Sequence, residues 1–172
     1  MRVFGIDCGS VCTGYGVVEI APRGPGSEQR LVALAAGGLR PPREQSLAVR
    51  LAYLYSELSR LLAEHRPDVV AVEEVFHSMN AKSALRLGHV RGVALLAAAS
   101  SGLPVSEYAP LTIKSSVVGY GLAEKSQVQF MVARLLRLER APEPADAADA
   151  LAIAICHIHI SQTLTRQDGT GR

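Results

Sequence analysis

The sequence predicts an α/β fold built on a mixed sheet, and three observations carry that expectation. Short apolar runs at residues 3–6 (VFGI) and 69–72 (VVAV) suit strands buried on both faces, and residues 105–108 (VSEY) suit a further short strand. The first run turns back through a glycine-punctuated hairpin, so one side of the sheet is antiparallel. Helical spacing fills the intervals before and after residues 69–72, which calls for parallel strands joined by crossovers.

The elements follow in order. Residues 3–6 form a strand that ends at Asp7, an acid too costly to bury deeply without a partner. Gly9 to Thr13 make the turn, and Gly14 to Val18 begin the second strand. Residues 21–30 (APRGPGSEQR) read as a Pro/Gly hairpin loop. Residues 31–39 then complete a three-stranded meander, which Pro41 and Pro42 stop. From about Glu44 to His65 the apolar positions Leu47, Leu51, Leu54, Tyr55, Leu58, Leu61 and Leu62 trace one helical face. Pro67 ends that helix. Residues 69–72 make a buried strand ending at Glu73, a second acid in the situation of Asp7.

Residues 74–80 are a loop, with Asn80 as a possible cap for a helix over 81–100. Its Ala and Gly content suits a close approach to the sheet or to another subunit. Residues 105–108 are a short strand and 110–118 a short helix bearing Lys114. Gly119 and Gly121 precede a helix from near Lys125 to about Leu138. A lysine so early opposes the helix dipole; it either meets a phosphate or lies in solvent. A final helix spans about 145–162, and the polar residues 163–172 are expected to be a disordered tail. Residues 1–162 are thus expected to be one domain.

Composition narrows the class. With 172 residues, 48% hydrophobic and 20% charged, the chain suits one globular domain with a proper core. No uninterrupted apolar run reaches the ~18 residues of a membrane span, and the amino-terminal strand does not resemble a secretory leader. A cytoplasmic location is the expectation. Three cysteines, Cys8, Cys12 and Cys156, argue against a disulfide framework. The C-x3-C pair has no second pair to complete a zinc site, and Cys156, His157 and His159 read as core and rim of the last helix. A net charge of +2 says little about partners. If cations neutralise a group of carboxylates, the remaining surface is basic enough for a polyanion.

The last helix opens ADAADALAIAICH, which puts Asp146 and Asp149 on one face of its first turn. Taken singly, each acid has a plain reading: Asp7 caps a turn, and the helix acids complement the dipole. Together, two acids at strand ends and two on a helix can converge in a small α/β domain. Four close carboxylates repel and need protons or cations. Oxygen donors without His or Cys favour Mg²⁺ or Mn²⁺. Two such ions suit in-line attack on a phosphodiester.

Across nearly its whole length the sequence resembles the RuvC family of Holliday-junction resolvases. The segments that carry the likeness are GIDCGSVCTGYGVV, AVEEVF, NAKSALRLGHVRGVALLAA, IKSSVVGYG, AEKSQVQFMV and ADAADALAIAICH, in that order. The resemblance implies a ribonuclease H-like fold: a five-stranded mixed sheet of order 3-2-1-4-5 flanked by helices. It implies catalytic, metal-holding carboxylates at Asp7, Glu73, Asp146 and Asp149. Basic residues near the cleaved phosphate fall on Lys114 and Lys125, and a DNA-stacking aromatic on Phe76. Two Mg²⁺ or Mn²⁺ ions per site are implied, with four-way junction DNA as substrate. The resemblance also implies a homodimer paired through the helix after Glu73, with the branch-migration proteins RuvA and RuvB as partners. Two symmetric cuts in strands of like polarity would leave 5′-phosphates and ligatable nicks.

Two departures stand out. Cys8 replaces the family's usual proline, and the loop HSMN after Phe76 differs, with His77 facing either DNA or solvent. A nuclease acting on RNA fits less well, because AEKSQVQ and ADAADALAIA occur together here. An ATP-binding module of the actin and sugar-kinase type needs a second domain and a second Asp-Gly loop; the other Asp-Gly here is Asp168–Gly169 in the tail. A junction binder without activity has no support, since all four acids are present.

Overall fold

The computed structural model describes residues 1–21, 30–74 and 81–169. The expected sites Phe76 and His77, and the cap at Asn80, lie outside those residues. A mixed sheet of order β3-β2-β1-β4-β5 forms the centre. Its strands are β1 (Arg2–Asp7), β2 (Thr13–Ala21), β3 (Arg30–Leu39), β4 (Val69–Glu73) and β5 (Val105–Tyr108). β1, β2 and β3 form an antiparallel meander, and β4 and β5 extend it in parallel from β1. The expected order is therefore met.

The pleat divides the core into two layers, because successive side chains on a strand face opposite ways. Phe4, Ile6, Val70 and Val72 pack against α1 (Leu47–His65) and α2 (Ala81–Ser100). Val3, Val69 and Ala71 pack against α3 (Pro110–Val118), α4 (Lys125–Leu135) and α5 (Ala145–Gly169). α5 is enclosed on nearly all sides over its first four turns; Ala147, Ala148, Ala150, Leu151, Ala154 and Ile155 are fully buried. By length and composition its stretch Ala145–Thr165 would pass for a membrane span, but 56% of the apolar window is buried inside the protein, as befits a central core helix.

Two glycines explain how α5 comes so close to the sheet. A Cβ on Gly5 would stand 2.0 Å from the Ala150 carbonyl oxygen, and one on Gly14 would stand 2.0 Å from that of Asp146. Only a missing side chain permits these approaches. The alanines of α5 and the glycines of β1 and β2 are complementary halves of one contact.

Three helix boundaries differ from expectation. α1 begins at Leu47 rather than Glu44, because the Ser46 hydroxyl caps it by accepting from the Val49 N–H at 3.4 Å. Leu47 consequently stands at the first turn, 44% exposed, and Tyr55 is 37% exposed. α4 ends at Leu135, because Arg137 takes a left-handed conformation (φ 55°) and Leu138 N–H donates to the Ala133 carbonyl. α5 continues to Gly169, so the stretch expected as a disordered tail from Thr163 is helical up to there. No breaker interrupts it, and the Thr163 and Thr165 hydroxyls donate to the His159 and Ser161 carbonyls at 2.9 Å.

Candidate active site

The sheet itself brings the first two acids together. Ile6 on β1 pairs in parallel with Val72 on β4. The next residue on each strand, Asp7 and Glu73, therefore falls at the same edge. Both share the odd register of Val3 and Val69, so both point to the face covered by α5.

The helices supply the rest. A cavity of about 200 Å³ at the carboxyl ends of β1 and β4 is lined by Asp7, Glu73, Asp149, Lys114 and Lys125, with Ile113 and Val128 among its apolar walls. Lys114 comes from α3, Lys125 from the first residue of α4, and Asp149 from the first turns of α5. Lys125 Nζ lies 2.5 Å from Asp149 Oδ2. That contact raises the lysine's pKa.

Asp146 stands slightly apart. Its backbone rests over Gly14, its carboxylate lies beside the Cys12 thiol, and it does not line the cavity. It nevertheless acts on Asp7 through space. Of the six charged residues expected at the site, five share one cleft and the sixth flanks it.

The electrostatics show a surplus of negative charge. Burial, and then the carboxylates of Asp149, Glu73 and Asp146, push the Asp7 carboxyl up to about 7, against a small opposing effect of Lys125. Glu73 is also raised, by burial first and Asp149 second, while Lys114 and Lys125 pull it down. A carboxyl held in this way takes up either a proton or a cation. The donors are all hard oxygen, which fits Mg²⁺ or Mn²⁺ better than zinc. Among the described residues, no three His, Cys, Asp or Glu side chains are already closed up around a point where a metal would sit.

One feature of the site went unread in the sequence. Arg91 on α2 donates from Nε to the Glu73 carbonyl at 3.4 Å and pairs with Glu107 on β5, tying the end of β4 to α2. An arginine midway along an otherwise small-residue helix was the available signal. The Cys8 thiol, already singled out in the sequence, is pushed up to about 12 by burial and by Asp7 beside it. At that value it stays a neutral thiol, poorly suited to attack or metal binding.

The likeness to known proteins agrees with this geometry. Residues 3–157 match the family described as crossover junction endodeoxyribonuclease RuvC. A crossover junction endodeoxyribonuclease RuvC of Acidobacterium capsulatum is 66% identical over 170 residues, covering 97% of this chain and 98% of that protein. The Thermus thermophilus RuvC structure aligns with a TM-score of 0.85 at 33% identity, over 95% of this chain and 96% of that one. A structure of T. thermophilus RuvC in complex with a Holliday junction substrate aligns at 0.83 and 31%, with the same coverage.

Proposed function

Because this chain belongs to the crossover junction endodeoxyribonuclease RuvC family, we propose that it resolves four-way DNA junctions by metal-dependent hydrolysis in the cleft at Asp7. The observation that carries the reading is the meeting of Asp7, Glu73 and Asp149 with Lys114 and Lys125 in one cavity.

Asp7, Glu73 and Asp149 would hold the divalent ions, two per site with DNA bound, and Asp146 would join them from the edge. Bound ions supply an activated water and charge stabilisation at the phosphodiester. Lys125 and Lys114 attract the scissile phosphate into a cleft that is otherwise acidic, and stabilise the charge that grows on its oxygens. Were Asp149 to hold a cation, Lys125 would be released from it to face the substrate phosphate. Phe76 would stack on a base near the crossover.

A homodimer gives two such clefts and paired cuts, in strands of like polarity, that leave 5′-phosphates and ligatable nicks. α2 supports that assembly: a Cβ on Gly88 or Gly92 would meet nothing within 4 Å, and Leu85 and Leu96 are 63% and 56% exposed. RuvA and RuvB are the proposed partners on cytoplasmic DNA.

The test is Mg²⁺-dependent cutting of a four-way junction, compared with duplex DNA and an RNA hybrid. Asp7→Asn should abolish cleavage and leave junction binding largely intact, since binding rests on phosphate contacts away from the carboxylates. Normal cutting by Asp7→Asn would refute the assignment.

A further inference from the structure

A second concavity lies at the same end of the sheet, on its opposite face. β3 ends beside Thr13, near the end of β1, and leads into α1; α2 follows the end of β4. The first turns of α1 and α2 therefore flank the turn after Asp7. Between them is a cavity of about 320 Å³, a size at the low end of small-ligand sites (~300–1,000 Å³).

We propose that this cavity holds one nucleotide of the DNA strand next to the cleft. Its phosphate would lie on an arginine rim, and its sugar and base against leucine. The proposal rests on the junction-nuclease reading above. The rim consists of Arg43, Arg50 and Arg86, and the floor includes Leu51, Leu54 and Val90. No acidic side chain is among the lining residues. None of the three arginines is in an ion pair among the described residues. Three guanidiniums around one opening repel one another unless an anion joins them, and the guanidinium fork matches a phosphate in plane and spacing.

Arg50 gives the site a built component. Its Nη2 donates to the Ser10 carbonyl at 2.8 Å, while its buried Nε has no hydrogen-bond partner among the described residues. The Ser10 bond fixes the guanidinium, so an anion entering the cavity meets an ordered donor group. Because Arg50 also holds Ser10, a strand seated here is tied to the turn that carries Asp7. At the mouth, Val11 and Leu47 are 52% and 44% exposed. An apolar lip beside a basic rim suits a nucleotide, which has both characters.

The test uses the full chain carrying Arg43→Ala with Arg86→Ala, and separately Leu47→Glu, leaving Arg50 in place because it supports Ser10. Junction affinity is measured by fluorescence anisotropy with Ca²⁺ across a salt series, and cleavage under single turnover with Mg²⁺. The double variant should bind about tenfold more weakly, with a log K against log salt slope shallower by about one per pocket. The loss should appear in affinity rather than in the rate at saturating junction. Leu47→Glu should weaken binding while the DNA-free protein keeps its mass by sedimentation.

Unchanged affinity, or weaker binding with an unchanged salt slope, overturns the proposal. So does a defect confined to the saturated rate. A change in mass for Leu47→Glu would make the cavity a contact between copies of the chain, which also overturns it. Failure of the wild-type protein to cut any junction would instead refute the nuclease reading, and the binding comparison stays separate from that result.

Discussion

Lys125 Nζ sits 2.5 Å from Asp149 Oδ2, at the point where α4 and α5 both begin. The cleft without cations is thus partly neutralised from within. This one contact relates the helix packing to the proposed chemistry, in which the ammonium would release Asp149 to a divalent ion.

Lys125→Ala should accordingly have two effects of opposite sign. Divalent-ion affinity of the DNA-free protein, measured calorimetrically with Mn²⁺, should rise because a competitor is gone. The single-turnover cleavage rate should fall about tenfold to a hundredfold or more through lost charge stabilisation. An unchanged rate would remove Lys125 from the chemistry.

The raised Asp7 carboxyl sets a pH dependence. Its folded value of about 7 lies above the ordinary 3.8, so the folded state holds the proton more tightly than the unfolded one. Asp7 therefore adds no penalty below about pH 4. It becomes destabilising as pH rises, and reaches a plateau of a few kcal/mol above about pH 7. Without divalent ions, Asp7→Asn should melt higher than wild type at pH 8. That advantage should shrink through pH 7 to 4 and be largely removed at pH 8 by added Mg²⁺. Equal melting points at pH 8 would contradict the burial argument.

Gly14→Ala tests the contact that seats α5. The new methyl meets the Asp146 carbonyl at 2.0 Å and the Asp146 Cβ at 3.0 Å, so the first turn of α5 must lift. Overpacking against backbone should cost about 1–3 kcal/mol or more. It should also slow cleavage, since Asp146 and Asp149 move with that turn. Melting temperature and single-turnover rate together check it; a variant with normal stability and rate would show that the approach can relax.

Arg91 offers a check on how Glu73 is held. Arg91→Met removes both its bond to the Glu73 carbonyl and its pairing with Glu107. Cleavage at saturating junction should drop several-fold while junction affinity changes little. Glu107→Gln should give a smaller defect of the same kind, because the bond to Glu73 remains. A purely binding defect would place Arg91 on the DNA side instead.

The sequence by itself determined a good deal. Residues 3–6 and 69–72 are apolar at every position, and each is followed by an acid, so parallel pairing of the two strands in register brings Asp7 and Glu73 to the same end of the sheet. The strand at 105–108 and the helix at 110–118 were legible to the residue, and the helix near 81–100 closely so, because Pro104, Pro110 and Gly119 punctuate them. Helix ends with weaker punctuation were not: α4 stops at Leu135 through a left-handed arginine, a conformation that no residue-type rule announces. Tertiary structure alone decided that Lys125 would meet Asp149, that Asp146 would stand at the rim, and that three arginines would share an opening. Those facts depend on how closely α5 approaches β1 and β2 and how α1 meets α2. Such distances are set by packing between residues far apart in the chain, which local pattern does not encode.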